Sequence, residues 1–221
     1  MVDHSLLRPQ LTRSEVVEGL EVAKKYEVAA ATMRPCDLDL AVRALEGTSV
    51  RAGSVVGFPH GSQNTATKLF ETRDLLGRGA REIDVVIAIS RLLSRDFGYV
   101  QTELDQLADA CHQRGAALKV IFENAYLTDE FKIVACQCCA KAEVDFVKTS
   151  TGFAPTGYTI DDLKLMRKHT PAHIGVKAAS GLKTLEQVLE VRELGVTRVG
   201  LTSTVAVLEA WKSRLAAPAT V

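Results

Sequence analysis

Apolar and polar positions along the chain fall into one repeating unit. An amphipathic stretch ends near a glycine, and a short run rich in Val, Ile and Ala follows. "SEVVEGLEVAKKY" leads into "EVAAATM", "NTATKLFETRDLLGRGA" into "EIDVVIAI", and "YVQTELDQLADACHQRG" into "AALKVIFE". "TDEFKIVACQCCAKAE" leads into "VDFVKTS", "TIDDLKLMRKH" into "AHIGVKAA", and "LEQVLEVRELG" into "VTRVGLTS". Thr12 with Glu15, and Thr184 with Gln187, have the spacing of capping boxes that open helices.

Apolar strands alternating with helices predict βα units around a parallel sheet. Strands are expected near 2–4, 28–33, 52–57, 82–88, 116–122, 144–149, 173–178 and 196–200. Eight such strands favour a closed (β/α)8 TIM barrel over an open doubly wound sheet. No linker or shift in composition divides the chain, so residues 1–221 are expected to form a single domain. Neither GxGxxG nor GxxxxGK[ST] occurs, which removes support for dinucleotide and P-loop readings.

Barrels of this kind place their active site at the C-terminal ends of the strands. The polar residues expected there are Asp3 and Ser5, Thr32, "GFPHG", Asp84, Lys119 with Glu123, Lys148, Lys177 and "GLTST", in strand order. Lys119 alone reads as well as a lysine whose stem is buried while its head reaches solvent or a carboxylate. Three lysines on adjacent apolar strands, Lys119, Lys148 and Lys177, are harder to explain without a use, because burying ammonium groups together is costly. The use that fits is a Schiff base. An amine attacks a carbonyl only when neutral, and at an ordinary pKa of ~10.4 only about 1 lysine in 2,500 is neutral at pH 7. Burial and a neighbouring ammonium both lower that pKa. Lys177, on the strand after Lys148, is placed to supply the repulsion. Asp84 then serves in an acid/base relay or holds a water that does. "AASGLKT" and "VGLTST", after the last two strands, suit an anion site built of loop amides and a helix N-terminus, with Lys183 adding charge.

Charge narrows the partners. Among 221 residues, 27 Lys and Arg balance 27 Asp and Glu, so nothing favours a nucleic acid or an anionic membrane. "MVDHSLLRP" does not read as a signal peptide, and no apolar run approaches the ~20 residues of a membrane span. The five cysteines lack secreted-type spacing, which suits reduced thiols and a cytoplasmic location. "CQCC" reads as small core residues of a helix rather than a zinc site, because no second ligand pair accompanies it.

Taken in order, "DHSLLRP", "VVGFPHG", "ETRDLLGRGAREIDVVI", "LKVIFENAYLTDE", "DFVKTSTGF", "GVKAASGLKT" and "RVGLTST" resemble the deoxyribose-phosphate aldolase family over essentially the whole chain. The resemblance implies a class I aldolase that interconverts 2-deoxy-D-ribose 5-phosphate with D-glyceraldehyde 3-phosphate and acetaldehyde, with no metal or organic cofactor and with a homodimer as the family-level expectation. Carried over by position, Lys148 resembles the Schiff-base lysine, Lys177 its pKa-lowering neighbour and Asp84 the relay aspartate. Asp3, Ser5, Thr32 and Lys119 fall at pocket positions, and Thr149 to Gly152 shape the cleft around the nucleophile. Gly152, Ser180, Gly181, Lys183, Gly200 and Ser203 fall where the family holds the sugar phosphate.

The chain also departs from that pattern. Only Met1 and Val2 precede Asp3, where family members carry an N-terminal helix. Ser5 stands where threonine is usual, Thr32 where cysteine is common, and Ala88 where a polar residue often stands. Ser180 replaces the first glycine of a Gly-Gly pair, at a cost of roughly 1 kcal/mol if that position uses φ > 0. The tail "RLAAPATV" lacks the C-terminal tyrosine of some members. Two other readings stay open: a Schiff-base barrel for another sugar phosphate, and a barrel that binds without catalysing.

Overall fold

The computed structural model describes residues 1–216. The stretch 217–221, the end of the tail "RLAAPATV", lies outside the described residues. Eight parallel strands close on themselves in sequence order. They are β1 (Val2–Leu6), β2 (Ala30–Met33), β3 (Arg51–Val56), β4 (Glu82–Val86), β5 (Ala117–Ile121), β6 (Phe146–Lys148), β7 (Gly175–Ala179) and β8 (Arg198–Leu201). Each lies within or beside its expected segment. The surrounding helices are α1 (Arg13–Lys25), α2 (Leu38–Ala44), α3 (Thr65–Gly77), α4 (Ile89–Leu93), α5 (Phe97–His112), α6 (Asp129–Lys141), α7 (Ile160–His169), α8 (Leu185–Glu193) and α9 (Thr204–Ala216). The chain is therefore a (β/α)8 TIM barrel.

Both capping boxes form. The Thr12 hydroxyl accepts from the Glu15 N–H and the Glu15 carboxylate accepts from the Thr12 N–H, which opens α1. Thr184 and Gln187 do the same for α8. Each box satisfies amides that the first helical turn leaves without partners.

Alternation along the strands decides what fills the barrel. On β4, Ile83 and Val85 join the apolar layer between sheet and helices, which leaves Glu82 and Asp84 on the opposite, barrel-inward face. Apolar side chains usually fill such interiors. Here the interior is ionic: Asp3, Glu82, Asp84, Lys119 and Lys177 have 0–1% of their surface exposed and Lys148 has 3%. The apolar core lies outside the sheet, and it includes Cys136, Cys138 and Cys139 of α6. Cys138, which the helical spacing sets off the face shared by the other two, is buried with them.

Candidate active site

Asp84 is the hub. Its Oδ1 accepts from Lys119 Nζ at 2.6 Å, and its Oδ2 accepts from both Lys148 Nζ and Lys177 Nζ at 2.7 Å. The strand register builds this contact set. Asp84 on β4 stands beside Lys119 on β5, and Lys148 on β6 stands beside Lys177 on β7. Asp3 on β1 closes the ring by accepting from Lys177 at 2.6 Å and from Arg198 at 2.6 Å. Deeper in the barrel, Glu82 pairs with Lys119 at 2.6 Å and with Arg198 at 3.1 Å. Arg51, largely exposed, touches Glu82 from the solvent side at 3.5 Å.

The buried set thus holds four cationic side chains (Lys119, Lys148, Lys177, Arg198) and three carboxylates (Asp3, Glu82, Asp84). Removing one proton leaves the set neutral, and Lys148 is the group best placed to lose it. Burial lowers its pKa. Asp84 pulls the other way, Lys177 and Lys119 add repulsion, and the result is about 8. Lys119 moves oppositely: burial lowers it, but Asp84, Asp3 and Glu82 together raise it well above the usual lysine range. Burial would raise the Asp84 carboxyl, yet the charges of Lys119, Lys148 and Lys177 outweigh it and hold it well below the usual carboxylate range. The same contest brings Asp3 to about 2, through Lys177, Lys119 and Arg198.

Lys148 is the member of the set that lines a cleft at the C-terminal mouth, with a volume of ≈ 180 Å³. Ser5, Gly200, Ser180, Gly181 and Lys183 line it with Lys148. A β-carbon on Gly200 would lie 3.5 Å from Lys177 Cε and 3.7 Å from Ser5 Oγ, so glycine keeps the mouth open there. Thr149 lies beneath the wall. Its hydroxyl donates to the Ala179 carbonyl at 3.3 Å and accepts from the Ala179 N–H at 3.1 Å, tying β6 to β7.

Other expected site residues fall elsewhere. Asp3 and Lys119 do not line the cleft; they sit at mid-strand depth and act on it through charge. Thr32 is buried on β2, off the cleft wall, with no hydrogen-bond partner for its hydroxyl among the described residues. Ser203 is also off the wall. Its hydroxyl donates to the Leu182 carbonyl at 3.2 Å and its carbonyl accepts from Val207 N–H, so it joins the β7–α8 loop to the start of α9. The helix-terminus reading of the anion site needs correction at one point. Gln187 Oε1 accepts from the Lys183 N–H at 2.8 Å and from the Thr184 N–H at 3.2 Å, so these two amides are already satisfied within the chain. Gly181, Leu182 and Lys183 remain on the wall.

Three participants escaped the sequence reading. Arg198 and Glu82 complete the buried network, but each begins a strand, where a charged residue reads as a solvated edge. Glu123, which did stand out, holds the loop after Lys148: its carboxylate accepts from both the N–H and the hydroxyl of Thr151. Burial raises the Glu123 carboxyl, and these bonds work against the rise. Arg8 also lines the cleft, with its guanidinium 5.1 Å from the Phe153 ring centroid, a cation–π distance.

Comparison with known proteins points to one family. Residues 2–201 match the family model described as DeoC/LacD family aldolase. The chain is 43% identical to the deoxyribose-phosphate aldolase of Rhodopirellula baltica, over 99% of this chain and 91% of that protein. It is 42% identical to the enzyme of the same name from a Thermoanaerobacter species, over 96% of this chain and 95% of that one. Among solved structures, a deoxyribose phosphate aldolase from Aeropyrum pernix, described as tetrameric, superposes with a TM-score of 0.88 at 29% identity, covering 96% of this chain and 90% of that one.

Proposed function

The chain belongs to the DeoC/LacD family of aldolases, and on that premise we propose that it cleaves 2-deoxy-D-ribose 5-phosphate reversibly to D-glyceraldehyde 3-phosphate and acetaldehyde through an imine on Lys148. The observation that carries the reading is the state of Lys148: buried, on the cleft wall, and brought to a pKa of about 8. At pH 7 about a tenth of such a lysine is neutral, roughly 200-fold more than for an ordinary one.

The neutral amine adds to C1 of the open-chain sugar, and loss of water gives the iminium. The iminium draws electrons from the adjoining bond, which lowers the barrier to C–C cleavage. A two-carbon product fixes the break between C2 and C3; cleavage at C3–C4 would release three carbons. The C3 hydroxyl gives up its proton as C3 becomes the new aldehyde. The C2–C3 pair becomes the enamine double bond between C1 and C2. Protonation at C2 and hydrolysis then release acetaldehyde and restore Lys148.

The Asp84 carboxylate, held ionised, is a weak proton carrier near neutrality. Its contribution is to hold Lys148 and Lys177 in place and to stabilise the positive imine nitrogen. Lys177, with its ammonium on the same carboxylate oxygen, is the neighbouring proton donor. The phosphate sits at the Gly181–Lys183 end of the cleft, and Gly152 and Ser180 bound that end.

The test is a coupled assay for D-glyceraldehyde 3-phosphate with the parent protein and a Lys148→Met variant. The reading requires turnover by the parent and at least about a 1,000-fold loss in the variant. Turnover retained by Lys148→Met rejects it. Clear activity on another sugar phosphate alone would favour a different substrate, and Ser180, which lines the cleft, is the residue to examine then. A homo-oligomer, with a dimer as the simplest form, and a reducing cytoplasmic setting complete the proposal. The five cysteines are free, and no described helix is long and apolar enough to cross a membrane.

A further inference from the structure

Gly157 lies in the loop that follows β6, outside the cleft wall and away from the ion network. Its φ is not one that favours glycine, so conformation does not explain the residue. Space does. A β-carbon placed on Gly157 would overlap the carbonyl oxygen of Ser180 and lie 2.7 Å from its carbonyl carbon and 2.9 Å from its Oγ. The next residue, Tyr158, donates its N–H to that same carbonyl at 3.1 Å. The β6–α7 loop is thus seated directly on the Ser180 peptide.

That peptide is unusual. Ser180 has φ 69°, left-handed for a non-glycine residue, and Gly181 follows with φ 104°. Such a conformation persists only where its surroundings hold it. In a planar trans peptide the N–H points opposite to the C=O. With the Ser180 carbonyl turned toward Gly157 and Tyr158, the Gly181 N–H turns away from them. That N–H has no acceptor among the described residues, and Gly181 lines the cleft.

We propose that Gly157 is a positioning residue for anion binding: its missing side chain lets the β6–α7 loop lock the Ser180 carbonyl, which aims the Gly181 amide at the substrate phosphate. The inference rests on the proposed phosphate end of the cleft. Lys148 and its ion partners are not touched by it, so binding of the phosphate and reactivity of the amine should separate.

The experiment compares the parent with Gly157→Ala on 2-deoxyribose 5-phosphate, on unphosphorylated 2-deoxyribose, and in titrations with inorganic phosphate. The expected result is a KM for the phosphorylated sugar raised at least tenfold with kcat within about twofold. Alongside it, kcat/KM for the unphosphorylated sugar stays within about twofold, and the Kd for inorganic phosphate rises in parallel with KM. A KM within twofold of the parent overturns the proposal, as does an equal loss on both sugars. If the parent turns over neither sugar, the functional reading fails while the phosphate titration still decides this one: a weakened Kd in the variant supports it and an unchanged Kd overturns it. If Gly157→Ala does not fold, the phosphate titration is read on the double variant Gly157→Ala/Ser180→Gly against Ser180→Gly alone: a Kd raised at least threefold by the added β-carbon supports the proposal, and an unchanged Kd overturns it.

Discussion

Lys148 Nζ and Lys177 Nζ donate to one oxygen of one carboxylate, Asp84 Oδ2, each at 2.7 Å. Each ammonium is therefore held by a charge that it must share, and each raises the cost of protonating the other. Lys177 is also held by Asp3 at 2.6 Å, whereas Lys148 has Asp84 as its single carboxylate partner among the described residues. That asymmetry selects Lys148 as the lysine that gives up its proton.

Removing Lys177 should therefore weaken Lys148 as a nucleophile without touching it. A Lys177→Met variant ends the repulsion and leaves Asp84 freer to hold the Lys148 ammonium. The apparent pKa of the nucleophile should rise from about 8 by one unit or more, cutting the neutral fraction at pH 7 roughly tenfold. The pH profile of kcat/KM checks this. A profile that stays in place while activity falls would assign Lys177 to proton transfer alone.

Asp84→Asn leaves Lys119 and Lys148 without a hub in a buried site. Breaking a buried ion pair by deleting one partner typically destabilises by roughly 3–5 kcal/mol, and the loss here should fall in that range. Urea unfolding at pH 7 measures it. A loss below about 1 kcal/mol would mean that water enters the barrel and screens the lysines.

Acid should act through Asp3. Its folded pKa of about 2 lies below the ordinary value of 3.8, so between those values the unfolded chain binds more protons than the folded one. The stabilisation is present above about pH 4 and is lost as pH falls toward 2. For this group it amounts to about 2 kcal/mol. Unfolding free energies across that window, compared between the parent and Asp3→Asn, should show the slope in the parent and a flatter line in the variant.

Ser180 carries a local cost. At φ 69° a side chain is disfavoured by roughly 1 kcal/mol, part of which glycine would return as extra freedom of the unfolded chain. Ser180→Gly should therefore raise stability by up to about 1 kcal/mol, read by thermal unfolding. A clear loss would show that the Ser180 side chain makes contacts that outweigh its backbone strain.

The eight strands were legible because parallel strands buried on both faces are written as apolar runs, and here glycine turns and capped helices bound them. The reading of helices was less complete. α2 and α4 are 7 and 5 residues long, too short to show a 3.6-residue period, and the repeating unit as read stopped at β8 and missed α9. Lys148 and Lys177 could be picked out because an ammonium inside an apolar run conflicts with its surroundings. Depth could not be read. Lys119 and Asp84 lie at mid-strand rather than at the rim, and that follows from the stagger between strands, which no single segment carries. Glu82 and Arg198 were hidden for the same reason: their partners lie on other strands, so the pairing exists only once the barrel closes. The position-180 constraint was legible as a glycine-to-serine change, and the left-handed φ bears it out. The partner that accounts for it, Gly157, is 23 residues away in sequence and adjacent only in space.

The proposed chemistry requires that the ion network make Lys148, rather than Lys119 or Lys177, a nucleophile near neutral pH. The most direct measurement is the rate of reductive trapping with acetaldehyde and saturating cyanoborohydride from pH 6 to 10, with peptide mapping of the product. The expected result is a single two-carbon adduct on Lys148, with a rate half-maximal near pH 8. An adduct on Lys119 or Lys177, no adduct on folded protein, or a rate that rises only as pH approaches 10 would contradict it.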